Sequence, residues 1–386
     1  MSNVEEKRLG EGCEAVAPAV PAYAAPAPNR VPAAVPTLHV TIDGMPVDVP
    51  QGATILQAAQ AAGVKIPTLC YLKNANAIGS CRVCVVEVEG RTQLAAACNT
   101  PVRDGMVVRT DTERVQASRR TALDLIVSNL GADPTGLPAG ELRDVCEQVG
   151  LTKTSFTVER SFKPLVEDNP FLSYNPNMCI ACQRCVAACN NLAHNHSLHT
   201  GKRGVRTTIE APFGPDWKMT TCESCGNCAQ ACPTGALVEK RVRTYMWAPE
   251  PTHTVRTTCP HCAVGCQIDL VVQGDKVVDA RGADGASNKT MLCVKGRSAS
   301  FDFLSAPDRL RTPLLRNKVS GELEPCSWDE AMNAVVAGLS GVKAKYGADA
   351  LAGFACSRST NEDIYLFEKM VRCAFGTNNV DNCARV

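Results

Sequence analysis

Two short segments near residue 40 alternate between apolar and polar side chains, with the period of two that is typical of half-buried β-strands. They are LHVTID and MPVDV, and Asp43-Gly44 lies between them, which predicts a β-hairpin. The next segment, ILQAAQAAG, follows Thr54 as a predicted N-cap and ends at Gly63, which predicts a short helix. CRVCVVEVEG, which starts at Cys81, ends in another predicted strand. Residues 37–111 are therefore predicted to form a small α+β domain in which a helix crosses a sheet.

Apolar positions return with a helical period in the next part of the chain, residues 112–168. The segment 112–130 is predicted to be a helix whose apolar residues lie near one face: Val115, Ala122, Leu125, Ile126 and Leu130. ELRDVCEQVG is predicted to be a second short helix that ends at Gly150. This part is therefore predicted to be a helical region.

From about Ser327 the pattern alternates between helix and strand. WDEAMNAVVAGLSGVKAKYG has the pattern of an amphipathic helix, ALAGFAC that of a buried strand, and STNEDIYLFEKMVRCAFG that of another helix. This order is typical of the beginning of an α/β domain, which we place at residues 309–386.

Residues 1–36 have a different composition from the rest of the chain. Fifteen of the residues in the segment 14–36 are Ala or Pro. Proline removes backbone donors and blocks helix formation, so this part is predicted to be a disordered tether.

Bulk composition excludes several classes of protein. A chain of 386 residues is expected to form two to four domains. The net charge of +1 gives no electrostatic reason to expect a nucleic-acid or anionic-membrane partner. No apolar run approaches the roughly 18–20 residues that a membrane span needs, and MSNVEEKRLG is neither a secretory nor a twin-arginine signal. We therefore expect a cytoplasmic protein.

Cysteine departs from this ordinary composition, because the chain has 22. A small secreted domain would use such a density for disulfides, whereas a large chain without an export signal favours metal ligation by thiolates. Sixteen cysteines fall into four tight groups. The other six are predicted to be packing residues: Cys13, Cys146, Cys326, Cys356, Cys373 and Cys383.

The first group consists of Cys70, Cys81, Cys84 and Cys98, with gaps of ten, two and thirteen residues. Plant-type ferredoxins hold a [2Fe–2S] cluster with a similar loop that has a shorter first gap. A Cys₄ zinc site is the alternative. The predicted sheet around the loop and the unequal gaps favour the [2Fe–2S] cluster.

The second and third groups each have the spacing C-x₂-C-x₂-C-x₃-C, which predicts a two-[4Fe–4S] ferredoxin domain of the bacterial type at residues 169–242. In two-cluster ferredoxins the fourth cysteine of each run binds the other cluster. One predicted cluster therefore has the ligands Cys179, Cys182, Cys185 and Cys232. The other has Cys189, Cys222, Cys225 and Cys228. Asn190 follows Cys189 where the bacterial run has Pro, which weakens the turn prediction there.

The fourth group, Cys259, Cys262, Cys266 and Cys293, predicts one more [4Fe–4S] cluster within residues 252–308. Since four cysteines already satisfy it, His261 is interpreted as a loop residue that shields the cluster. Lys295, in the VKGR segment after the last cysteine, is either a surface lysine or a cation that bridges the cluster to an anionic cofactor. The remaining clustered histidines are predicted to lie in a solvated loop: His194, His196 and His199.

The fourth group also carries a resemblance to a known family. C-P-x-C-x-V-G-C followed by C-x-K-G-R resembles the N-terminal cluster domain of molybdenum or tungsten enzymes that bind two pterin-guanine dinucleotides. Residues 37–240 resemble the iron–sulfur domains shared by the large iron–sulfur subunit of NADH-quinone oxidoreductase, iron-only hydrogenases and NAD-linked formate dehydrogenases. The combination, which ends in GTNNVDNCARV, is similar to the catalytic (alpha) subunit of a cytoplasmic formate dehydrogenase.

The resemblance covers residues 37–386 and implies an α+β multi-domain fold. Its parts would be a β-grasp [2Fe–2S] ferredoxin-like domain, a helical linker and a bacterial-type two-[4Fe–4S] ferredoxin domain. The small [4Fe–4S] domain of bis-pterin molybdoenzymes and the start of an α/β domain would follow. In many relatives a further [4Fe–4S] cluster, held by one His and three Cys, follows the helix at 112–130. Here that region has only Cys146, so we expect this cluster to be absent.

The resemblance also implies a Mo- or W-bis(molybdopterin guanine dinucleotide) cofactor in the full-length enzyme. Lys295 matches the family lysine between the nearest [4Fe–4S] cluster and a pterin, so it is expected to bind this cofactor. The family's metal ligand, a selenocysteine or cysteine, directly follows a C-A-R-V-type segment. We therefore expect a chain truncated at a selenocysteine position, with no catalytic residue and no activity of its own, and with Cys383 as a packing neighbour.

The implied function is oxidation of formate to CO₂, or the reverse. One [2Fe–2S] and three [4Fe–4S] clusters would relay electrons between the Mo/W site and a partner, either a flavin- and NAD-binding subunit or another electron-transfer subunit. A stand-alone electron-transfer adaptor and another molybdenum oxidoreductase, such as a nitrate reductase, are the alternatives. An iron-only hydrogenase is disfavoured because the fourth cysteine group does not belong to that family.

Overall fold

The computed structural model describes residues 35–156, 158, 162–212, 217–241, 251–298, 301–304 and 306–384. The predicted tether at 1–36 lies outside them except for its last two residues. Within these described ranges, no helix has both the length and the apolar character that crossing a membrane requires.

The first domain is a mixed five-stranded sheet with one helix packed against it. The strand order is β2-β1-β5-β3-β4, with β1 and β5 parallel and the other neighbours antiparallel. The strands are β1 Thr37–Ile42, β2 Met45–Pro50, β3 Val85–Val88, β4 Ala95–Ala96 and β5 Val107–Arg109. The helix α1, Ile55–Ala61, buries Ile55 and Leu56 against this sheet.

Local sequence signals position these elements as predicted. Asp43 and Gly44 both have positive φ, 49° and 84°, which is the backbone of a tight hairpin turn with the twist of the flanking strands. Thr54 caps α1 through a reciprocal capping box with Gln57, and Gly63 follows the helix with φ 74°. The hairpin and the short helix are thus confirmed.

The helical region contains α2, Glu113–Leu130, and α3, Glu141–Val149, which ends at Gly150 as predicted. The predicted apolar face of α2 was partly wrong. Leu125 is 51% exposed, whereas Leu123 and Val127 are fully buried. The face is rotated because Arg119 is also buried, where its guanidinium donates to the carbonyl of Val85 at 2.9 Å.

The cysteine-rich region has short elements arranged in two antiparallel strand pairs, β6 with β9 and β7 with β8. The strands are β6 Leu172–Tyr174, β7 His199–Gly201, β8 Thr208–Glu210 and β9 Leu237–Glu239, and the helices are α4 Arg184–Ala187 and α5 Asn227–Gln230. A π-helical turn at Ala188–Leu192 continues α4.

The predicted internal duplication is visible in the backbone of this region. Ala181 and Ser224, at equivalent positions of the two cysteine runs, have φ 52° and 53°. Gln183 and Gly226, the next equivalent pair, have φ 61° and 73° and precede α4 and α5. The two runs therefore have the same loop conformation.

Two further segments complete the chain. The first is an antiparallel sheet of β10 Thr252–Thr258, β11 Gln267–Gln273 and β12 Lys276–Gly282, followed by α6 Val294–Arg297. The second contains the antiparallel pair β13 Leu314–Arg316 and β14 Leu323–Pro325, then α7 Trp328–Tyr346, β15 Gly353–Ala355, α8 Asn361–Met370 and β16 Val380–Asn382.

The predicted alternation of helix and strand from Ser327 is confirmed. Ser327 caps α7 through a capping box with Glu330, and β15 pairs with β16 in parallel. The predicted burial of the strand ALAGFAC was wrong for its central side chain, since Phe354 is 78% exposed. Because α7 also has no buried residue, the apolar faces of this segment are open to solvent.

Candidate metal centres

The first cysteine group meets at one end of the first domain. Cys70 lies in the loop after α1, Cys81 and Cys84 lie before β3, and Cys98 follows β4. Hydrogen bonding with Cys81 and then Cys98 lowers the pKa of Cys70, and hydrogen bonding with Cys98 lowers the pKa of Cys84 to about 7. The structure therefore brings all four thiols into mutual contact.

The second and third groups exchange their last cysteines. Cys232 lines one enclosed space of about 300 Å³ together with Cys179, Cys182 and Cys185. Burial raises the pKa of Cys185, and the neighbouring thiolates of Cys232 and Cys182 raise it further. The structure thus brings together the first three cysteines of one run and the fourth of the other.

Cys189 makes the reciprocal exchange. Burial raises the pKa of its thiol, and Cys225 and Cys222 raise it further. Cys228 has the same neighbours, because its pKa is raised first by burial and then by Cys225, Cys222 and Cys189. Each of the two predicted sets of four is therefore assembled.

Several N–H groups point at the sulfur atoms of these two sets. Ala181 N lies 3.4 Å from Cys179 Sγ, Leu237 N lies 3.4 Å from Cys232 Sγ, and Ser197 N lies 3.3 Å from Cys189 Sγ. Side-chain amides add Asn169 Nδ2 at 3.6 Å from Cys222 Sγ and Asn227 Nδ2 at 3.3 Å from Cys225 Sγ. A neutral thiol is a weak acceptor, so this donor set fits anionic sulfurs of the kind that ligate iron–sulfur clusters.

A single metal ion needs a tighter set of ligands. Within the ranges that the structure covers, no three His, Cys, Asp or Glu side chains form a set that could hold one ion. The sixteen cysteines are therefore grouped here by their spacing, their loops and their pairwise interactions.

The fourth group lies where β10 ends and α6 begins. Cys259 follows β10 and donates its N–H to the carbonyl of Cys266 at 2.8 Å, and Cys293 is the N-cap of α6. Burial raises the pKa of Cys266, and the other three cysteines raise it further. The group lines a wide opening of about 1380 Å³ whose opposite wall is the segment Ser357–Glu362.

The structure places the other predicted residues as follows. Lys295 is exposed and lines the same opening as the fourth cysteine group. His261 lies on that loop, with its ring centroid 6.2 Å from that of Phe301. His194 and His196 are exposed in a loop as predicted, but the loop prediction was wrong for His199, which begins β7 and is half-buried.

The scattered cysteines differ from one another. Cys146 is a packing residue as predicted, buried among Leu123, Val127 and Leu142, and burial raises the pKa of its thiol to about 11. The packing prediction was wrong for three others, which are exposed: Cys356, Cys373 and Cys383. The thiol of Cys383 instead lies 3.2 Å from Ser357 Oγ, and this hydrogen bond lowers its pKa to about 7. Cys326 is half-buried, and Cys13 lies outside the described residues.

Sequence reasoning missed the polar residues that join the groups. Asn76, which is 8% exposed, donates Nδ2 to the carbonyl of Cys70 at 2.8 Å and to that of Cys182 at 3.1 Å. It therefore ties the first group to the neighbouring run directly. An asparagine in a loop resembles an ordinary surface residue, so the sequence carries no signal for this contact.

Arg297 joins the third and fourth groups and was also missed. It is 2% exposed, and its guanidinium donates to the carbonyl of Cys225 at 3.1 Å and to that of Ala280 at 3.4 Å. Its Nε lies 3.6 Å from the buried carboxylate of Glu239. Gly226 leaves room for it, since a Cβ there would lie 2.2 Å from Arg297 Cδ.

Four family models match successive parts of the chain. They are a 2Fe-2S iron-sulfur cluster binding domain at residues 36–113 and the ferredoxin-like domain of NADH-quinone oxidoreductase subunit 3 at 169–238. A molybdopterin oxidoreductase Fe4S4 domain follows at 252–302, and a molybdopterin oxidoreductase domain at 309–386. These matches confirm the predicted fold class.

Similar proteins have related names. The chain is 37% identical to the NADPH-Fe(3+) oxidoreductase subunit alpha of Geobacter sulfurreducens and 35% identical to a G-type subunit of the NADH-quinone oxidoreductase of Rhizobium meliloti. Each match covers 90% of this chain and 40% of the relative. A "putative formate dehydrogenase" of Staphylococcus haemolyticus is 30% identical, over 90% of this chain and 39% of its own length.

One solved structure is also similar, an NAD+-reducing [NiFe]-hydrogenase in the H2-reduced state. It has a TM-score of 0.48 and 29% sequence identity, and the match covers 53% of this chain and 87% of that one. The chain itself spans about 40% of the length of the curated relatives that it matches. It contains the iron–sulfur region and the start of the molybdopterin domain of a molybdopterin oxidoreductase, and it is similar to the G-type subunit of NADH-quinone oxidoreductase.

Proposed function

We propose that the chain holds four iron–sulfur clusters in a row and relays electrons through them. The observation that carries this proposal is the exchange of Cys232 and Cys189 between the two runs, which brings four cysteines to each of two adjoining sites. Asn76 connects one of these sites to the first cysteine group, and Arg297 connects the other to the fourth. When bound, the clusters would supply one-electron redox chemistry.

The proposed ligands follow the four sets in order along this row. The [2Fe–2S] cluster would be held by Cys70, Cys81, Cys84 and Cys98. The three [4Fe–4S] clusters would be held by Cys179, Cys182, Cys185 and Cys232, by Cys189, Cys222, Cys225 and Cys228, and by Cys259, Cys262, Cys266 and Cys293. The order is supported by the proximity of Cys185 to Cys228, since the thiolate of Cys228 also raises the pKa of Cys185.

The two ends of the row suggest what the relay connects. The fourth group shares its opening with Lys295 and with the segment Ser357–Glu362 of the molybdopterin-type region. We therefore propose that Lys295 binds a pterin of a Mo- or W-bis(molybdopterin guanine dinucleotide) cofactor. The first group would face an electron-transfer partner, such as a flavin- or NAD(P)-binding subunit.

For the whole protein we propose oxidation of formate to CO₂, one proton and two electrons, or the reverse reaction. The relative named as a formate dehydrogenase supports this proposal. A second candidate is an NAD(P)H-linked electron-transfer subunit that does not act on formate. The higher identities to the NADPH-Fe(3+) and NADH-quinone oxidoreductase subunits favour it.

Iron analysis tests the relay. The full chain, purified without oxygen, should contain about fourteen iron ions, the sum for one [2Fe–2S] and three [4Fe–4S] clusters, with an equal amount of sulfide. After dithionite reduction, electron paramagnetic resonance (EPR) spectroscopy should detect both cluster types. A preparation that binds zinc in place of iron would refute the cluster assignments.

The substrate is tested on the whole protein with its natural partners. Adding formate to the oxidised protein should reduce the clusters, which EPR detects directly. Reduction by NADH or NADPH, with no response to formate, would instead establish the second candidate. Acetate serves as the matched carboxylate control.

A further inference from the structure

Arg184 and Asn227 occupy the same position in the two cysteine runs. Each directly precedes the third cysteine of its run, and each is the first residue of a short helix, α4 or α5. Both side chains are buried, with exposed fractions of 8% and 6%. Polar side chains at such depth need partners, and the partners of these two are equivalent.

Each of the two side chains holds the residue that precedes a cysteine of another group. Arg184 Nη1 donates to the carbonyl of Leu69 at 3.3 Å, and Leu69 directly precedes Cys70. Asn227 Nδ2 donates to the carbonyl of Leu292 at 2.9 Å, and Asn227 Oδ1 accepts from Leu292 N at 3.1 Å. Leu292 directly precedes Cys293, so the internal duplication extends to the contacts that each run makes with its neighbour.

Asn227 makes one contact more. Its Nδ2 also lies 3.3 Å from Cys225 Sγ. A single amide group therefore connects a sulfur of the third group to the backbone next to Cys293 of the fourth group. A path of covalent and hydrogen bonds couples two redox sites more strongly than an open gap of the same length.

We propose that this repeated position is the connector of the relay, an inference that rests on the proposed electron-transfer function. Asn227 connects the site of Cys225 to the site of Cys293, and Arg184 connects the other run to the site of Cys70. One electron crosses each connection, so that one site is oxidised as the next is reduced. No bond forms or breaks, and no proton moves.

Asn227 also sets the potential of its site. An N–H group directed at a ligating sulfur stabilises the reduced, more negative state of a cluster. Replacing Asn227 by Leu removes that donor together with both contacts to Leu292. We expect the reduced-to-oxidised ratio of this site, at a fixed potential, to fall about tenfold, which corresponds to about 59 mV for a one-electron couple.

Gln230 provides a matched control for the loss of domain contacts. It lies one turn after Asn227 and bonds to the backbone of the same neighbouring segment. Its Nε2 donates to the carbonyls of Gly282 and Thr290 at 2.9 and 3.2 Å, and its Oε1 accepts from Gly282 N at 2.9 Å and from the guanidinium of Arg297. Among the described residues, none of these hydrogen bonds reaches a cysteine sulfur, so Gln230→Met weakens the docking without touching the proposed path.

The test uses the full chain with its iron–sulfur clusters in four forms: wild type, Asn227→Leu, Arg184→Met and Gln230→Met. Redox titration followed by EPR gives the potential of each site, and rapid-freeze EPR after a light pulse with a deazaflavin reductant gives the rate at which electrons redistribute. Asn227→Leu should lower one [4Fe–4S] potential and slow exchange with the fourth site. Arg184→Met should slow exchange with the [2Fe–2S] site instead, and Gln230→Met should change neither the potential nor either rate.

Two outcomes would overturn the connector role. One is a wild-type potential and wild-type rates in Asn227→Leu, and the other is an equal effect of Gln230→Met, which would reduce Asn227 to a docking residue. If Asn227→Leu does not fold, Asn227→Asp replaces it, because the carboxylate keeps the acceptor for Leu292 N and loses the donor to the sulfur. A wild-type chain without clusters would refute the proposed function itself, which iron analysis recognises before any variant is compared.

Discussion

Replacing Arg297 by Met would test whether one buried cation holds two cluster regions together. Methionine keeps most of the apolar stem and removes the guanidinium. The carbonyls of Cys225 and Ala280 would lose a donor, and the carboxylate of Glu239, whose side chain is 5% exposed, would lose its counter-charge. The perturbation is therefore electrostatic more than steric.

The expected cost follows from this burial. Removing one partner of a buried ion pair destabilises a protein by about 3–5 kcal/mol, because the remaining charge has no compensation. The orphaned carbonyls act in the same direction, although such terms do not add independently. We expect Arg297→Met to cost about 3–5 kcal/mol at neutral pH, and Arg297→Met/Glu239→Gln to recover at least about 1 kcal/mol of it.

The cost should also depend on pH. Burial raises the pKa of Glu239 above its ordinary value, and Arg297 opposes that rise. Without Arg297 the folded-state pKa rises further, so the folded variant binds a proton more readily than the unfolded chain does. The stability that this protonation provides is complete below about pH 4.5, the unfolded value, and is lost as the pH rises through the folded value. The deficit of Arg297→Met should therefore shrink as the pH falls from neutral towards about 5.

Urea unfolding of the iron-loaded chain at about pH 7 and about pH 5.5 measures this deficit. Hydrogen exchange of the amides of α5 and α6 localises it. The double variant is the matched control, because the amide that replaces the carboxylate at position 239 does not titrate, and its deficit should be the same at both pH values. A loss below about 1 kcal/mol at neutral pH, or an Arg297→Met deficit that does not change with pH, would refute the reasoning.

The other predictions concern single side chains. Cys232→Ala and Cys189→Ala should each abolish the EPR signal of a different [4Fe–4S] site, with the loss of about four iron ions; loss of the same signal in both would contradict the exchange. Cys146→Ala should retain all the iron and cost about 1 kcal/mol in thermal unfolding, as expected for a small cavity, whereas iron loss would make Cys146 a ligand. Asp43→Ala should cost about 1–3 kcal/mol in urea unfolding, because Thr110 N and Oγ1 donate to this carboxylate at 2.6 and 2.5 Å. Asp43→Asn, which keeps one acceptor, should cost less.

Signals confined to a few neighbouring residues predicted the structure well. Asp43-Gly44 predicted the hairpin, and Thr54 and Ser327 predicted helix starts, because a cap or a turn depends on backbone conformation within four residues. The cysteine runs belong to the same class, since their spacing fixes which sulfurs can share a site. These signals also predicted the fold class that the family models match.

Contacts between distant residues were not predictable in this way. Periodicity placed Leu125 on the buried face of α2, but the burial of Arg119 against Val85 rotated that face. A sequence pattern assigns an arginine to solvent, and only the packed structure supplies the carbonyl that makes its burial favourable. Asn76 and Arg297 were missed for the same reason, as their partners lie far along the chain.

The hydrocarbon surroundings of Cys146 have a consequence for how the protein matures. Iron and sulfide are delivered to thiolates, and an accessible seventeenth thiol in a folded core would compete with the sixteen that belong to the sites. With its pKa raised to about 11 and its side chain 1% exposed, Cys146 stays protonated and unreachable at neutral pH. It can neither intercept incoming iron nor form a wrong disulfide when oxygen damages a neighbouring site. Burying the thiol therefore protects assembly and repair of the metal sites as effectively as replacing it would.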